Sequence, residues 1–215
     1  MIDIGNVLIL GDSYSTFEGS IPDGFAIYYY KNKDGFGINS AADTWWGMLL
    51  GKVKANLILN CSWSGTTICN TGYNGEDYSD KSFIARFDKL VADGFFEENR
   101  IDTMILFGGT NDCWACSPIG EKKTENWTKE DLYYFKPAFC YLIKRIREVL
   151  PDVKLLSILN TGFLPAFNDA IVSLSEELCV DTLVLKNIQK LEGHPNKKGM
   201  EQICEQVLAH LNKTK

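Results

Sequence analysis

The sequence has no excess of basic residues and no long apolar run. Its 215 residues carry 22 Lys+Arg against 28 Asp+Glu, a formal net charge of −6. Nucleic acids and anionic membranes select the opposite balance, and no apolar run approaches the ~20 residues that cross a bilayer. The first apolar run, Val7 to Leu10, follows no basic segment, so it indicates a strand and not a signal peptide. We expect a cytoplasmic protein, or a secreted or periplasmic one if a signal peptide was removed, with no nucleic-acid or membrane partner.

Histidine is scarce, and the cysteines form no clear metal-binding pattern. Cys113 and Cys116 make a C-x-x-C motif, but the two histidines, His194 and His210, lie far from it in sequence. A zinc site would need a second pair of ligands, so we expect no metal. The seven cysteines are an odd number, and several stand in apolar surroundings. Buried free thiols in a reducing compartment are therefore favoured, with a local Cys113–Cys116 disulfide as the alternative.

Strand and helix patterns alternate along the whole chain. This alternation predicts a parallel sheet with helices on both faces, and five strands favour the order 2-1-3-4-5. The predicted strands are 7–10, 57–60, 103–107, 154–159 and 182–185, and the predicted helices are 43–53, 82–94, 128–150, 165–178 and 196–211. We expect one domain over residues 1–215, with loop insertions near 19–42, 71–81 and 113–127. Loops of this length in a compact domain are usually functional or disordered.

Polar residues follow four of the predicted elements at the point where each one ends. Gly11-Asp12-Ser13 follows the first strand, Cys61 to Thr66 the second, and Gly108 to Asp112 the third. Gly193-His194-Pro195-Asn196 comes after the fifth strand. The carboxyl ends of parallel strands meet at one edge of the sheet, where open α/β folds bind ligands. A serine, a glycine turn, an amide and an imidazole are thereby predicted to converge.

Acyl transfer requires this set of groups. A serine hydroxyl attacks a carbonyl when a base removes its proton, and imidazole titrates near neutral pH. The oxyanion that forms needs donors already aimed at it, and a glycine N–H and an asparagine amide can serve. The N–H of Ser13, at the start of a helical turn, is a third candidate donor.

These four blocks resemble those of the SGNH/GDSL hydrolase superfamily, and they run in the family's order. Ser13 matches the nucleophile, Gly65 the backbone donor, Asn111 the side-chain donor and His194 the base. The resemblance implies a three-layer α/β/α fold and hydrolysis of esters without a metal or organic cofactor. The implied substrate is a small-molecule ester, with a short acyl group on a carbohydrate or another small alcohol.

The chain departs from the family at the orienting acid. The family usually has Asp three residues before the histidine, where this chain has Leu191, and Glu192 is the nearest carboxylate. A side chain displaced by one position in a loop tends to point the other way, so we predict that a main-chain carbonyl holds His194. This departure leaves open a non-catalytic carbohydrate-binding relative. A flavodoxin-like flavin protein is a further alternative, but it would leave the third and fourth blocks unexplained.

Structural roles compete with functional ones at several of these residues. Asp12 and Asp112 are interpreted as acceptors that brace loops, and Ser13 could simply cap a helix. Gly65 could be no more than a turn residue with positive φ. Trp63 and Trp114 lie within three residues of a proposed oxyanion donor and are candidate substrate-binding residues. The alternative for both is packing of the long loops onto the domain.

Overall fold

A computed structural model describes residues 1–213 and contains the predicted parallel sheet. Its strands are β1 (Asp3–Gly11), β2 (Lys54–Ser62), β3 (Thr103–Phe107), β4 (Lys154–Leu159) and β5 (Asp181–Val184), in the order β2-β1-β3-β4-β5, with every neighbouring pair parallel. A small antiparallel hairpin, β6 (Lys190–Leu191) and β7 (His194–Pro195), lies outside this sheet. The predicted fold and strand order are confirmed.

Helices cover both faces of the sheet and make it the middle of three layers. They are α1 (Trp45–Leu50), α2 (Phe83–Ala92), α3 (Phe95–Glu98), α4 (Thr110–Trp114), α5 (Phe135–Val149), α6 (Pro165–Glu177) and α7 (Lys197–Lys213). Alternate residues of β1 point into two hydrophobic cores, one on each face of the sheet. Leu8 and Leu10 pack with α2, α5 and α6, while Val7 and Ile9 pack with α1 and α7. Both faces of β1 are therefore buried, which explains its continuous apolar sequence. No helix among residues 1–213 is long and apolar enough to span a membrane.

The helix predicted over 128–150 begins later, at Phe135. Pro137 lies in the first turn of α5, and its ring would collide with the carbonyl four residues earlier if the helix extended further back. Thr128 and Asp131 do exchange hydrogen bonds between side chain and backbone, as the capping pattern predicts. These bonds lie at the start of a separate 3₁₀ turn, Glu130–Tyr133, and not at the start of the long helix.

The first two predicted loop insertions, 19–42 and 71–81, are held against the rest of the fold. In the first, Tyr29, Phe36 and Ile38 are buried in the core beneath α1 and α7. In the second, the Thr71 hydroxyl donates to the Tyr133 carbonyl at 2.7 Å. These contacts place irregular backbone at the carboxyl edge of the sheet, beside the residues that follow β1 and β2.

Candidate active site

Ser13 follows β1 at the start of a 3₁₀ turn, Ser13–Ser15. The turn begins here because Asp12 caps it: Asp12 Oδ1 accepts the N–H of Tyr14 at 3.0 Å. Asp12 therefore braces the loop, as predicted. Burial raises the pKa of Asp12 to about 7, against the lowering effects of the Tyr14 N–H, the Thr110 side chain and the Arg86 charge.

Two glycines, Gly108 and Gly109, connect β3 to the helix that carries Asn111. A Cβ on Gly108 would lie 2.4 Å from the ring of Phe83, so no larger residue fits there. Gly109 has φ +88°, a left-handed conformation that glycine adopts without strain. Helix α4 starts directly afterwards and carries Asn111 in its first turn, with only 2% of the residue exposed.

The amide of Asn111 is oriented by two neighbours. Its Nδ2 donates to the carbonyl of Thr66 at 2.9 Å, and the hydroxyl of Tyr73 donates to its Oδ1 at 2.7 Å. A carbonyl only accepts, so the amide nitrogen must face Thr66, which leaves the oxygen for Tyr73. Burial raises the pKa of Tyr73 to about 12, so its hydroxyl keeps its proton and donates. The second hydrogen on Nδ2 remains available to a ligand.

Asp112 ties the same helix to the loop after β2. Its two carboxylate oxygens accept the N–H groups of Ile68 and Cys69 at 2.8 and 3.0 Å. The structural role predicted for Asp112 is confirmed by these contacts. Burial raises its pKa to about 6 against the lowering effect of both backbone donors.

Gly65 lies in the turn that follows β2. Its φ of +79° requires left-handed backbone, and a Cβ placed there would meet nothing within 4 Å. Within residues 1–213, the N–H groups of Gly65 and Ser13 donate to no protein acceptor. Two hydrogen bonds join the segment after β2 to its neighbours. The N–H of Trp63 donates to the Gly11 carbonyl at 3.1 Å, and Asn111 Nδ2 donates to the carbonyl of Thr66, the residue after Gly65. One N–H donor of Ser13 itself and one in the turn after β2 are thus without a protein acceptor among the described residues.

His194 is presented by the hairpin of β6 and β7. Leu191 pairs with His194 across it, and the two residues between them, Glu192 and Gly193, have φ of +50° and +79°. Positive φ at both central residues is the signature of a type I′ hairpin turn. The turn leaves the Glu192 side chain exposed and directs its carbonyl to His194 Nδ1, 3.2 Å away.

The other ring nitrogen of His194 meets Ser13. Nε2 and the Ser13 Oγ are 3.0 Å apart. Because the Glu192 carbonyl can only accept, Nδ1 carries the proton of the neutral imidazole, and Nε2 is free to accept from the serine hydroxyl. The main-chain contact predicted from the missing acid is present, and the arrangement can move a proton from serine to histidine.

Aromatic rings surround the imidazole. Tyr28 is stacked on it with ring centroids 3.5 Å apart, while Trp114 meets it edge-on at 5.5 Å and Tyr14 lies at 5.4 Å. Burial lowers the pKa of His194 to about 4; the Glu192 carbonyl opposes this shift, and the positive charges of Lys33 and Lys190 add to it. Without a bound proton, the imidazole is in the form a general base requires.

The two tryptophans singled out in the sequence have different surroundings. Trp114 lies beside His194 with 40% of its surface exposed. Trp63 stacks on Phe25 with ring centroids 4.1 Å apart, as expected if it packs a long loop onto the domain. Cys113 is buried and Cys116 exposed, both as free thiols. No cluster of three metal-ligating side chains occurs in the part of the chain that the structure describes.

Sequence and structure comparisons identify the family of this chain. The sequence profile of the GDSL-like lipase/acylhydrolase family matches residues 5–211. The chain belongs to the GDSL-like lipase/acylhydrolase family. A protein from Bacteroides ovatus ATCC 8483, assigned as a GDSL-like lipase, is 43% identical with a TM-score of 0.90, over 99% of both chains. A second, from Bacteroides uniformis ATCC 8492, is 35% identical with a TM-score of 0.88, over 97% of this chain and 95% of the other.

More distant structures share the fold of this GDSL-like chain. An acetyl xylan esterase from the rumen bacterium Butyrivibrio proteoclasticus is 15% identical with a TM-score of 0.60, and the match covers all of this chain and 64% of the esterase. No protein with a curated description matches the sequence.

Sequence reasoning missed how tyrosines surround the histidine of this GDSL-like protein. The hydroxyls of Tyr14 and Tyr29 donate to the carbonyls of Gly193 and Pro195, at 2.5 and 2.7 Å, on either side of His194. The tyrosines are visible as an aromatic cluster in the sequence, but nothing there specifies which ring or hydroxyl faces His194. Tyr73 is a similar omission, because its role depends on a contact 38 residues away.

Replacing Asn111 or Tyr73 is expected to lower the rate of the reaction without unfolding the protein. Asn111→Ala should lower kcat by about 10²–10³-fold, because one donor to the oxyanion is lost. Tyr73→Phe should lower kcat by about tenfold with little change in KM, because the amide loses the donor that fixes its orientation. Steady-state kinetics with a p-nitrophenyl ester, beside thermal unfolding, measure both effects.

Tyr133→Phe is the matched control for Tyr73→Phe. The Tyr133 hydroxyl donates at 2.9 Å to Asp77, which lies in the same loop as Tyr73, and among the described residues it makes no hydrogen bond with Asn111. If both tyrosine variants lower kcat equally, Tyr73 acts only by holding the loop.

Proposed function

We propose that this protein is a serine esterase in which Ser13 is the nucleophile and His194 the general base. The observation that carries the proposal is the 3.0 Å contact between Ser13 Oγ and His194 Nε2, with the tautomer set by the Glu192 carbonyl at Nδ1. A nucleophile within hydrogen-bond reach of a base that is itself oriented by a third group is the arrangement covalent catalysis requires. Family membership supports a hydrolase.

The reaction proceeds through an acyl-enzyme. His194 Nε2 takes the Ser13 proton as Oγ bonds to the ester carbonyl carbon, and the carbonyl oxygen becomes an oxyanion. The N–H groups of Ser13 and Gly65 and the free hydrogen of Asn111 Nδ2 stabilise that charge. His194 then gives its proton to the leaving alcohol, and water, activated by the same imidazole, releases the acid from Ser13.

The surroundings of Ser13 favour a short acyl group on a carbohydrate or another small alcohol. Ser13 and Asn111 are each only 2% exposed, so a long acyl chain would have to displace the surrounding loops. The exposed face of Trp114, next to the base, is suited to stack against a sugar ring or another flat apolar group. The Butyrivibrio protein of the same fold is named as an acetyl xylan esterase, which supports the carbohydrate-ester class.

A non-catalytic carbohydrate-binding protein is the second candidate. One observation favours it: Leu191 stands where the family usually has its acid, so no carboxylate contacts His194 within residues 1–213. Labelling with a fluorophosphonate distinguishes the two functions, because only an activated serine reacts. A protein that binds oligosaccharide and resists the label would be the binding relative.

Ser13→Ala is expected to abolish esterase activity while leaving the fold intact. The residual rate should be lower by a factor on the order of 10³ or more, because only the oxyanion donors and substrate binding remain. Hydrolysis of p-nitrophenyl acetate and fluorophosphonate labelling measure the loss. Ser15→Ala is the matched control, since Ser15 belongs to the same turn but its Oγ accepts from the Trp45 indole at 3.2 Å. Full activity in Ser13→Ala would refute the assignment.

Glu192→Gln should leave most of the activity, whereas His194→Ala should be nearly inactive. The Glu192 contact with His194 is made by its carbonyl, which the glutamine keeps. We expect a loss in kcat/KM of less than about tenfold, or roughly 1.4 kcal/mol. Equal losses in the two variants would establish a Ser–His–Glu triad and exclude a dyad held by the main chain.

A further inference from the structure

The ring of Tyr28 lies flat on the imidazole of His194. The centroids are 3.5 Å apart and the planes 11° from parallel. Tyr28 is held at this place by its backbone: its N–H donates to Thr16 Oγ1 at 2.9 Å, and the Thr16 hydroxyl donates to the Ser13 carbonyl at 3.1 Å. Thus the first loop insertion, residues 19–42, is tied to the serine turn and brings a ring onto the base.

The ammonium of Lys33 lies on the opposite face of the same ring. It is 4.1 Å from the Tyr28 centroid, and since the imidazole already fills one face at 3.5 Å, only the other face can accept it. The same ammonium also lies near Tyr30 and Phe36, 5.0 and 5.4 Å from their ring centres. A cation, a phenol ring and an imidazole are therefore stacked in that order.

Hydrogen bonding alone leaves the imidazole incompletely fixed. The single bond from Nδ1 to the Glu192 carbonyl, 3.2 Å long, sets the tautomer but allows the ring to tilt about that bond. An acidic side chain, which would bind Nδ1 more strongly, is missing from position 191. A flat contact against the ring face restricts the remaining motion, which a second hydrogen bond in the ring plane would not do.

We propose that Tyr28 is a positioning residue for His194 that takes over the orienting role of the missing acid, and that Lys33, on the far face of the Tyr28 ring, favours the neutral form of the resting imidazole. This inference rests on the proposed function. The Tyr28 ring holds the plane of the imidazole so that Nε2 points at Ser13, and it shields one face of the imidazole from water. The positive charge of Lys33 disfavours protonation of the resting imidazole.

The charges around His194 give the expected pH dependence. The titratable or charged groups that face it are Lys33, Lys190, Tyr14, Tyr28 and, through its carbonyl alone, Glu192. Burial and the two lysines favour the neutral ring, so the pKa of His194 lies at about 4 instead of 6.5. Activity that needs neutral His194 should therefore persist as the pH falls to about 5 and disappear through the pKa of the base.

Three variants separate the parts of this stack. Tyr28→Leu removes the flat contact, Tyr28→Phe keeps it, and Lys33→Met keeps the apolar stem of the lysine while removing its charge. Tyr30→Leu is the matched control, because Tyr30 also contacts the Lys33 ammonium but makes no ring contact with His194 in the described structure. The readouts are the pH profile of kcat/KM and the pKa of His194 by NMR. The chain has only two histidines, so His210→Gln assigns the signals.

Tyr28→Leu should lower kcat by about tenfold or more and move the pKa of His194 toward 6.5, because the base loses both orientation and burial. Tyr28→Phe should stay within about twofold of wild type in kcat. Lys33→Met should retain kcat near neutral pH but shift the acid limb of the profile upward, because removing a positive charge makes the imidazole easier to protonate. Tyr30→Leu should change neither quantity.

The proposal is overturned if Tyr28→Leu leaves both kcat and the pKa of His194 as in wild type, or if Tyr30→Leu changes them equally. A purely structural role for Tyr28 would lower the folded fraction, measured by thermal unfolding, without moving the pKa of His194. Failure of the proposed function has a different signature, namely wild-type protein that does not react with a fluorophosphonate. In that event the NMR titration still decides whether Tyr28 and Lys33 control His194.

Discussion

A single buried cation, Arg86, joins the ends of the two strands that lead into the site. It is 3% exposed, and its guanidinium donates to the carbonyls of Gly11 and Cys61 and, at 3.0 Å, to Thr66 Oγ1. A charge removed from water is tolerated only where its hydrogen-bonding groups are satisfied. The last residues of β1 and β2 therefore have little freedom in the places where Ser13 and Gly65 follow.

This constraint explains why the loops approach one another so closely. A Cβ on Gly11 would lie 2.5 Å from the Ser62 hydroxyl and 2.9 Å from the Ser15 side chain, so only glycine fits between the two strand ends. Arg86 also provides a positive charge near the buried Asp12, opposing the rise that burial causes in the pKa of that carboxyl. The cap of the serine turn and the cation beneath it are thus parts of one polar network, which comes from β1, β2 and α2.

The fold and the four blocks could be predicted because their signals are local. Buried parallel strands appear as continuous apolar runs, so 103–107 and 154–159 match β3 and β4 residue for residue. The residues after each strand were brought together by topology alone. Helix boundaries were less accurate where a backbone constraint competes with periodicity, as at Pro137, which delays the start of α5. Tyr28 was beyond prediction, because its contact with His194 spans a loop without periodic pattern.

The loss of the acid and the presence of the stacking ring are linked through Leu191. Residues directly opposite in an antiparallel pair place their side chains on the same face, so a carboxylate at position 191 would lie beside His194. Leu191 instead extends its Cδ2 to within 2.9 Å of where a Cβ on Gly35 would stand, against the loop that carries Tyr28 and Lys33. Position 191 thus makes an apolar contact with the loop that stacks on His194, where an acid would form a hydrogen bond to the imidazole. An aspartate at 191 would restore the acid but withdraw packing from that loop, and the two ways of holding the imidazole compete for the same site.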